Sequence, residues 1–159
     1  MAKFLDFPIV YGKLGNHPGL LSTEQAVALF NAGMRCGPGC LLIEYWPDGG
    51  RSTVLLGAVA KNLEGQLKVF TAWGVPSRDD ERWFNLAFKA HGLAAVAAVN
   101  PPVSDTATQA DLILLRAEFL PAANGCLSAK RLFLLGEASS IDGYRQVEAG
   151  RGFSVWEAG

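Results

Sequence analysis

The sequence predicts an α/β protein with an open, mainly parallel sheet and helices on both faces. Short apolar runs alternate with segments of helical periodicity along nearly the whole chain. The run at 110–115 is apolar except for one acid, which is typical of a strand buried on both faces of a sheet. A length of 159 residues suits one hydrophobic core. We therefore expect a single three-layer domain over residues 1–159.

The first half of the chain contains the clearest local signals. Residues 1–18 are interrupted by prolines and glycines, which favours an extended lead-in. Ser22 and Gln25 have the spacing of a capping box and predict the start of a helix. The glycines and proline at 37–39 end that helix and lead into a strand over 40–45. A glycine-bearing turn and a helix over 51–63 complete the first half of a βαβ unit.

The second half repeats the alternation of strand and helix. A helix is predicted from Asp79 to about His91, a short helix near 120–127, and a partly helical segment at 139–149. Strands are predicted at 66–73, 93–99, 110–115, 131–135 and 152–157.

Composition excludes several classes of function. The net charge of −1 gives no general attraction to nucleic acid or to anionic membranes. No apolar run approaches the length of a membrane span, and no signal-peptide core is present at the N-terminus, so a cytoplasmic protein is expected. Because 50% of the residues are hydrophobic and only 18% are charged, we expect a partner subunit to cover part of the surface, most simply in a homo-oligomer.

The three cysteines do not predict a disulfide framework or a metal centre. Cys36 and Cys40 flank the turn at 37–39, and Cys126 lies far along the chain. A structural zinc site requires four ligands, and the two histidines are isolated from each other and from the cysteines. Buried thiols at element ends are the expected outcome.

The turn after the first strand is the candidate ligand site. In open α/β sheets, ligands bind beyond the carboxyl ends of the strands. Glu44 lies at the end of the predicted strand, and Gly49 and Gly50 lie in the turn. Arg51 begins the following helix, where free N–H groups and the positive end of the helix dipole favour anions.

The residues from Glu44 to Thr53, EYWPDGGRST, resemble the first motif of class I S-adenosylmethionine-dependent methyltransferases. They are most similar to a small branch with the pattern E-[IV]-G-x-[WY]-x-G-R-S-T, and weaker matches extend over 19–157. The resemblance implies a Rossmann-like methyltransferase fold with a cofactor pocket. The candidate lining residues are Glu44, Tyr45, Trp46, Asp48, Gly49, Gly50, Arg51, Ser52, Thr53, Trp73 and Arg116.

The sequence departs from that family at three places that would contact the cofactor. Trp46 stands at the first glycine of the motif, where an indole would occupy the volume of the ligand. Ala72 or Trp73 stands where the family has the acid that holds the ribose hydroxyls. After the fourth strand, Arg116 replaces an acid and Phe119 replaces a histidine.

These departures favour a non-catalytic relative whose pocket is filled by side chains, with Trp46 and Trp73 packed together and a role in interaction or assembly. No cofactor is expected on this interpretation, and no catalytic residue is assigned. One alternative is an active methyltransferase that binds S-adenosylmethionine and a small-molecule substrate and works by positioning. A second alternative is an anion or phosphate site at the helix start, with Arg51 and Arg116 as ligands.

Overall fold

The structure is a computed structural model that describes residues 5–14, 21–47, 50–70, 78–99, 109–123 and 127–159. The helices are α1 (Phe7–Lys13), α2 (Thr23–Met34), α3 (Arg51–Asn62), α4 (Arg78–Ala90) and α5 (Leu120–Ala123). A 3₁₀ turn at Ala117–Phe119 leads directly into α5. The strands are β1 (Leu41–Tyr45), β2 (Gln66–Phe70), β3 (Ala97–Val99), β4 (Ala110–Arg116), β5 (Ala129–Leu135), β6 (Tyr144–Gly150) and β7 (Phe153–Ala158).

The strands form one seven-stranded sheet in the order β3-β2-β1-β4-β5-β7-β6. The first five strands pair in parallel, whereas β7 runs antiparallel to both β5 and β6. The predicted α/β class with a mainly parallel sheet is confirmed. The strand order reverses direction at β1, with β2 on one side and β4 on the other, so the carboxyl end of β1 lies at the topological switch point.

Each face of the sheet carries its own apolar cluster. On the first face, α1, α2, α3 and α4 pack against alternate strand residues, among them Leu42, Leu112 and Phe133. On the second face, the cluster contains the intervening residues, such as Ile43 and Ile113, together with Ala123 of α5. Helices therefore lie on both faces, but among the described residues α5 is the only one on the second face. Residues 110–115 contribute to both clusters, as expected of a doubly buried strand.

The capping box at the start of α2 is present as predicted. The Gln25 backbone N–H donates to Ser22 Oγ at 3.1 Å, and the Ser22 N–H donates to Gln25 Oε1 at 2.8 Å. Gln25 Nε2 also donates to the Gly152 carbonyl at 2.8 Å. The same side chain thus caps α2 and attaches it to the turn between β6 and β7.

Three local predictions require correction. Residues 7–13 form α1 rather than an extended lead-in, because Pro8 is tolerated in the first turn of a helix and Val10 can pack onto the core. The segment at 139–149, predicted to be partly helical, instead supplies β6, which pairs with β7. The strand predicted at 93–99 is limited to β3, since Leu93 to Val96 form a turn closed by the bond from Val96 N–H to the Leu93 carbonyl.

Within the described ranges, no helix combines the length and the apolar character that crossing a membrane requires.

Candidate functional site

The candidate site lies where β1 ends and α3 begins. Glu44, in β1, is only 2% exposed. Gly50 precedes α3 with a φ of 107°, a left-handed conformation that glycine adopts without a steric penalty. Its carbonyl accepts the first hydrogen bond of the helix from the Val54 N–H at 3.0 Å. The strand and the helix predicted from the sequence are therefore present on either side of residues 48–49.

The carboxylate of Glu44 is bound by the first turn of α3. Ser52 Oγ donates to Glu44 Oε2 at 2.5 Å, and Thr53 Oγ1 donates to Glu44 Oε1. Burial raises the pKa of Glu44 to about 7, although the two hydroxyl donors and the charge of Arg116 act in the opposite direction. Both carboxylate oxygens are thus engaged by the chain itself.

Trp46 adopts a backbone conformation that is unusual for a bulky residue. Its φ is 50°, in the left-handed region, and its side chain is 9% exposed. The Trp46 backbone N–H donates to the Phe70 carbonyl at 2.7 Å, which continues the pairing of β1 with β2 by one residue. A strained conformation of this kind persists only where the surrounding structure holds it.

Aromatic packing supplies that surrounding structure. The Trp46 ring packs edge to face on Phe119 with a centroid distance of 5.2 Å, and it lies 5.6 Å from the Tyr45 ring. Phe70 stacks on Tyr45 at 5.3 Å. These four residues form one aromatic cluster at the carboxyl ends of β1 and β2 and at the turn after β4. We call it the cleft cluster.

Arg116 lies at the edge of the cleft cluster. Its guanidinium carbon is 4.5 Å from the centre of the Phe119 ring, and its Nη1 is 3.1 Å from Glu118 Oε1. The first contact has cation–π geometry, and the second is an ion pair at the surface. Arg116 therefore contacts both the Phe119 ring and the Glu118 carboxylate.

Only a narrow cleft remains between these side chains. Its cavity volume is about 10 Å³, which is about the room that one water molecule needs. Its lining includes six of the candidate residues: Glu44, Tyr45, Trp46, Arg51, Ser52 and Arg116. Leu21, which precedes α2, Pro47 and apolar residues of β4 and β5 complete it. The structure therefore brings these six candidate residues together in one cleft.

The other candidate residues have different positions. Thr53 is fully buried and acts through its bond to Glu44, and Gly50 ends the turn beneath Trp83. Asp48, Gly49 and Trp73 lie outside the described residues, and so does the predicted packing of Trp46 on Trp73. As a group, the candidate residues remain a prediction.

The candidate lining residues did not include three aromatic residues that shape this region. Phe70 and Phe119 complete the cleft cluster, and Trp83 of α4 covers Gly50. A Cβ atom at Gly50 would lie 2.6 Å from the Trp83 ring. The strand predicted over 66–73 placed Phe70 inside it, whereas β2 has Phe70 as its last residue, at the end where ligands bind. Nothing local indicates that Trp83 folds back onto α3.

Within the described part of the chain, no group of three or more His, Cys, Asp or Glu side chains could hold a metal ion. Cys36 and Cys40 are free thiols. Burial, followed by the neighbouring charges of Cys40 and Asp111, raises the pKa of Cys36 to about 11. Both thiols are therefore expected to be protonated and unreactive near neutral pH.

Comparison with known proteins identifies the fold. No protein-family model matches the sequence, and no curated protein matches it either. Solved structures do match. A methyltransferase from Geobacter sulfurreducens superposes with a TM-score of 0.60 at 14% identity, over 99% of this chain and 98% of that one. The chain has a methyltransferase-like fold.

Two further structures support this methyltransferase-like fold. A putative caffeoyl-CoA O-methyltransferase from Staphylococcus aureus has a TM-score of 0.65 at 6% identity, over 98% of this chain and 93% of that one. A second Geobacter sulfurreducens enzyme, solved in complex with S-adenosyl-L-homocysteine, has a TM-score of 0.54 at 12% identity, over 84% of this chain and 56% of that one. Identities this low establish the fold and leave the activity to be argued from the site.

Proposed function

We propose that this protein is a methyltransferase-like protein that no longer transfers methyl groups and acts in the cytoplasm as an interaction or assembly subunit. The observation that carries the proposal is the position of Trp46. Its indole is buried at the carboxyl end of β1, packed against Tyr45 and Phe119, at the switch point where a ligand of this fold class would bind.

The size of the cleft supports the proposal. Sites for small molecules and cofactors have volumes of roughly 300–1,000 Å³. The cavity between the described residues here is about 10 Å³. So small a cavity among the described side chains supports a site without S-adenosylmethionine, and we derive no catalytic step through that cofactor.

The chemistry of the cleft supports the same conclusion. Glu44 is the acid that the resemblance aligns with the first motif, and both of its oxygens accept bonds from α3. Arg116 stands where the resemblance has an acid, and its guanidinium is held by the Phe119 ring and by Glu118. The residues that remain from the motif therefore stabilise the protein's own fold.

A second candidate is an anion site at the start of α3. The Nε atom of Arg51 is buried and makes no hydrogen bond to any described residue. Arg51 and Arg116 line the same cleft, and a helix N-terminus adds positive potential. Inorganic phosphate or sulfate would then raise the melting temperature of the wild type by mass action, and Arg51→Gln would abolish that rise.

Calorimetry and thermal-shift measurements with S-adenosylmethionine and S-adenosylhomocysteine test the main proposal. We expect neither compound to bind the wild type. Trp46→Gly would open the cleft, and Trp46→Phe is the matched control that keeps an aromatic ring there. A saturable rise in the melting temperature of the wild type with either compound would restore the alternative of an active methyltransferase.

A further inference from the structure

The strand β6 forms one edge of the described sheet. It pairs on one side with β7, and its seven residues are mostly exposed. At its centre, Val147 is one of the few large apolar side chains among the described residues with more than a third of its surface exposed, at 43%. An edge strand of this length presents backbone N–H and C=O groups that can pair with another strand.

A β-bulge places two opposite charges on the same face of this edge. Arg145 pairs with Glu157 of β7, whereas Glu148 pairs with Val155, and the register shifts between Gln146 and Glu148. Glu157 and Val155 are two residues apart and share a face, so Arg145 and Glu148 share that face as well. In a regular strand, residues three apart would point to opposite faces.

This arrangement is self-complementary under a two-fold rotation. We propose that two copies of the chain pair antiparallel through β6, about an axis between Gln146 and Val147. That register places Arg145 opposite Glu148 of the partner subunit, and Glu148 opposite the partner's Arg145. Because both residues lie on the same face, each cross-strand pair can form. The exposed Val147 side chains then lie next to the axis.

The ion pairs that these residues make within the chain do not oppose this pairing. Arg145 Nη2 is 3.7 Å from Glu157 Oε2, and Arg35 Nη1 is 3.9 Å from Glu148 Oε2. The Arg145 and Glu148 side chains are 78% and 42% exposed. Exposed ion pairs of this kind contribute little to stability, so both side chains can reorient towards a partner subunit with little loss of free energy.

The charges on β6 favour a second copy of this chain as the pairing partner. Charged residues on an edge strand discourage pairing with unrelated strands. In the two-fold register, the same two charges become two favourable pairs. The inference rests on the proposed assembly role and identifies its partner as another copy of this chain. β6 is separated from β4 by β5 and β7, so pairing there is independent of whether the cleft binds a ligand.

Sedimentation velocity and light scattering of the full chain provide the test. We expect a dimer for the wild type. Arg145→Glu places two carboxylates opposite each other across the interface, and Glu148→Arg places two guanidinium groups opposite each other. Loss of two favourable pairs is expected to raise the dimer Kd by about tenfold or more in each single variant. An equimolar mixture of the two variants allows opposite charges to face each other again and should dimerise. Lys89→Glu, a charge reversal on an exposed residue of α4, is the matched control.

These measurements of the dimer are independent of the proposed loss of cofactor binding, which ligand titrations test. A dimer that is weakened in each variant and restored in the mixture supports pairing through β6. A wild type that stays monomeric throughout the micromolar range overturns it. A dimer that withstands both single substitutions, or one that is lost with Lys89→Glu, also overturns it, because the interface would then lie elsewhere.

Discussion

The Ser52 hydroxyl donates a 2.5 Å hydrogen bond to the buried carboxylate of Glu44 and joins the end of β1 to the first turn of α3. Thr53 binds the other carboxylate oxygen. These contacts connect the strand directly to the helix that follows it. In an enzyme of this fold, these residues could face a cofactor. In this protein they connect two elements of the core.

The titration of Glu44 gives a prediction about pH. Its pKa is raised from 4.5 to about 7 in the folded state, so the folded protein retains a proton that the unfolded chain releases. The resulting stability is fully present below about pH 4.5 and is lost as the pH rises through about 7. Comparison with Glu44→Gln, which does not titrate, isolates this contribution. We expect the difference in unfolding free energy between the two proteins to change by about 3 kcal/mol between pH 4.5 and pH 8.

Urea denaturation at a series of pH values measures that difference. Glu137→Gln, which removes an exposed carboxylate outside β6, is the control and should not reproduce the change expected for Glu44→Gln. Parallel curves for wild type and Glu44→Gln would show that Glu44 titrates with an ordinary pKa.

Replacement of Trp46 by glycine should destabilise the protein even though it relieves strain. Removal of a buried tryptophan costs about 3–5 kcal/mol. Release of a left-handed backbone at a non-glycine residue returns about 1–2 kcal/mol. The expected net loss in unfolding free energy is therefore about 1–4 kcal/mol, measured by urea denaturation. Trp83→Ala removes an indole that is 37% exposed. It should therefore lower the unfolding free energy by less than removal of a fully buried tryptophan does.

Two glycines should respond to alanine in opposite ways. At Gly50, φ is 107° and an added Cβ would lie 2.6 Å from the Trp83 ring, so Gly50→Ala should lower stability by about 1 kcal/mol or more. At Gly12, inside α1, an added Cβ meets nothing within 4 Å. Gly12→Ala should therefore raise stability by about 0.5–1 kcal/mol through helix propensity. Thermal unfolding of both variants checks the pair, and equal effects would contradict the contact between Trp83 and the turn.

The end of α3 offers a stabilising substitution. Gly65 N–H binds the Ala60 carbonyl at 2.8 Å and Glu64 N–H points to the Lys61 carbonyl, the pattern of a Schellman motif. Glu64 occupies the left-handed position, with a φ of 51°, where glycine is preferred. Glu64→Gly should raise the unfolding free energy by about 1 kcal/mol.

The neighbouring glycine is the control for that prediction. A Cβ atom at Gly65 would lie 2.4 Å from the Cys40 carbonyl oxygen, so Gly65→Ala should be destabilising. A melting temperature for Glu64→Gly at or below that of the wild type would show that the left-handed residue carries no strain.

Local chemistry was sufficient to predict much of the fold. The capping box of Ser22 and Gln25, the turn at Gly50 and the doubly buried β4 each follow from a short pattern with one structural solution. The segment that forms β6 has no such pattern. Its sequence, YRQVEAG, is mostly exposed and shows no clear alternation of apolar and polar residues, and its glutamine, glutamate and alanine favour helix. Pairing with β7 overrides that local preference.

The cleft was predictable in its location and only partly in its content. The carboxyl ends of parallel strands meet at one edge of the sheet, so the sequence predicted that Glu44, Trp46 and Arg116 lie close together. It could not place Phe119 against the indole, since that contact depends on the 3₁₀ turn after β4. Nor could it find Trp83 above Gly50, which depends on how α4 packs.

Residue order alone was enough to establish an α/β class, the first capped helix and an acid at the end of the first strand, because periodicity and capping act within a few residues. Tertiary contacts decided four other features: the antiparallel direction of β7, the edge position of β6, the left-handed backbone of Trp46 and the filling of the cleft. Each depends on contacts between segments far apart in the chain, where packing energy outweighs local preference.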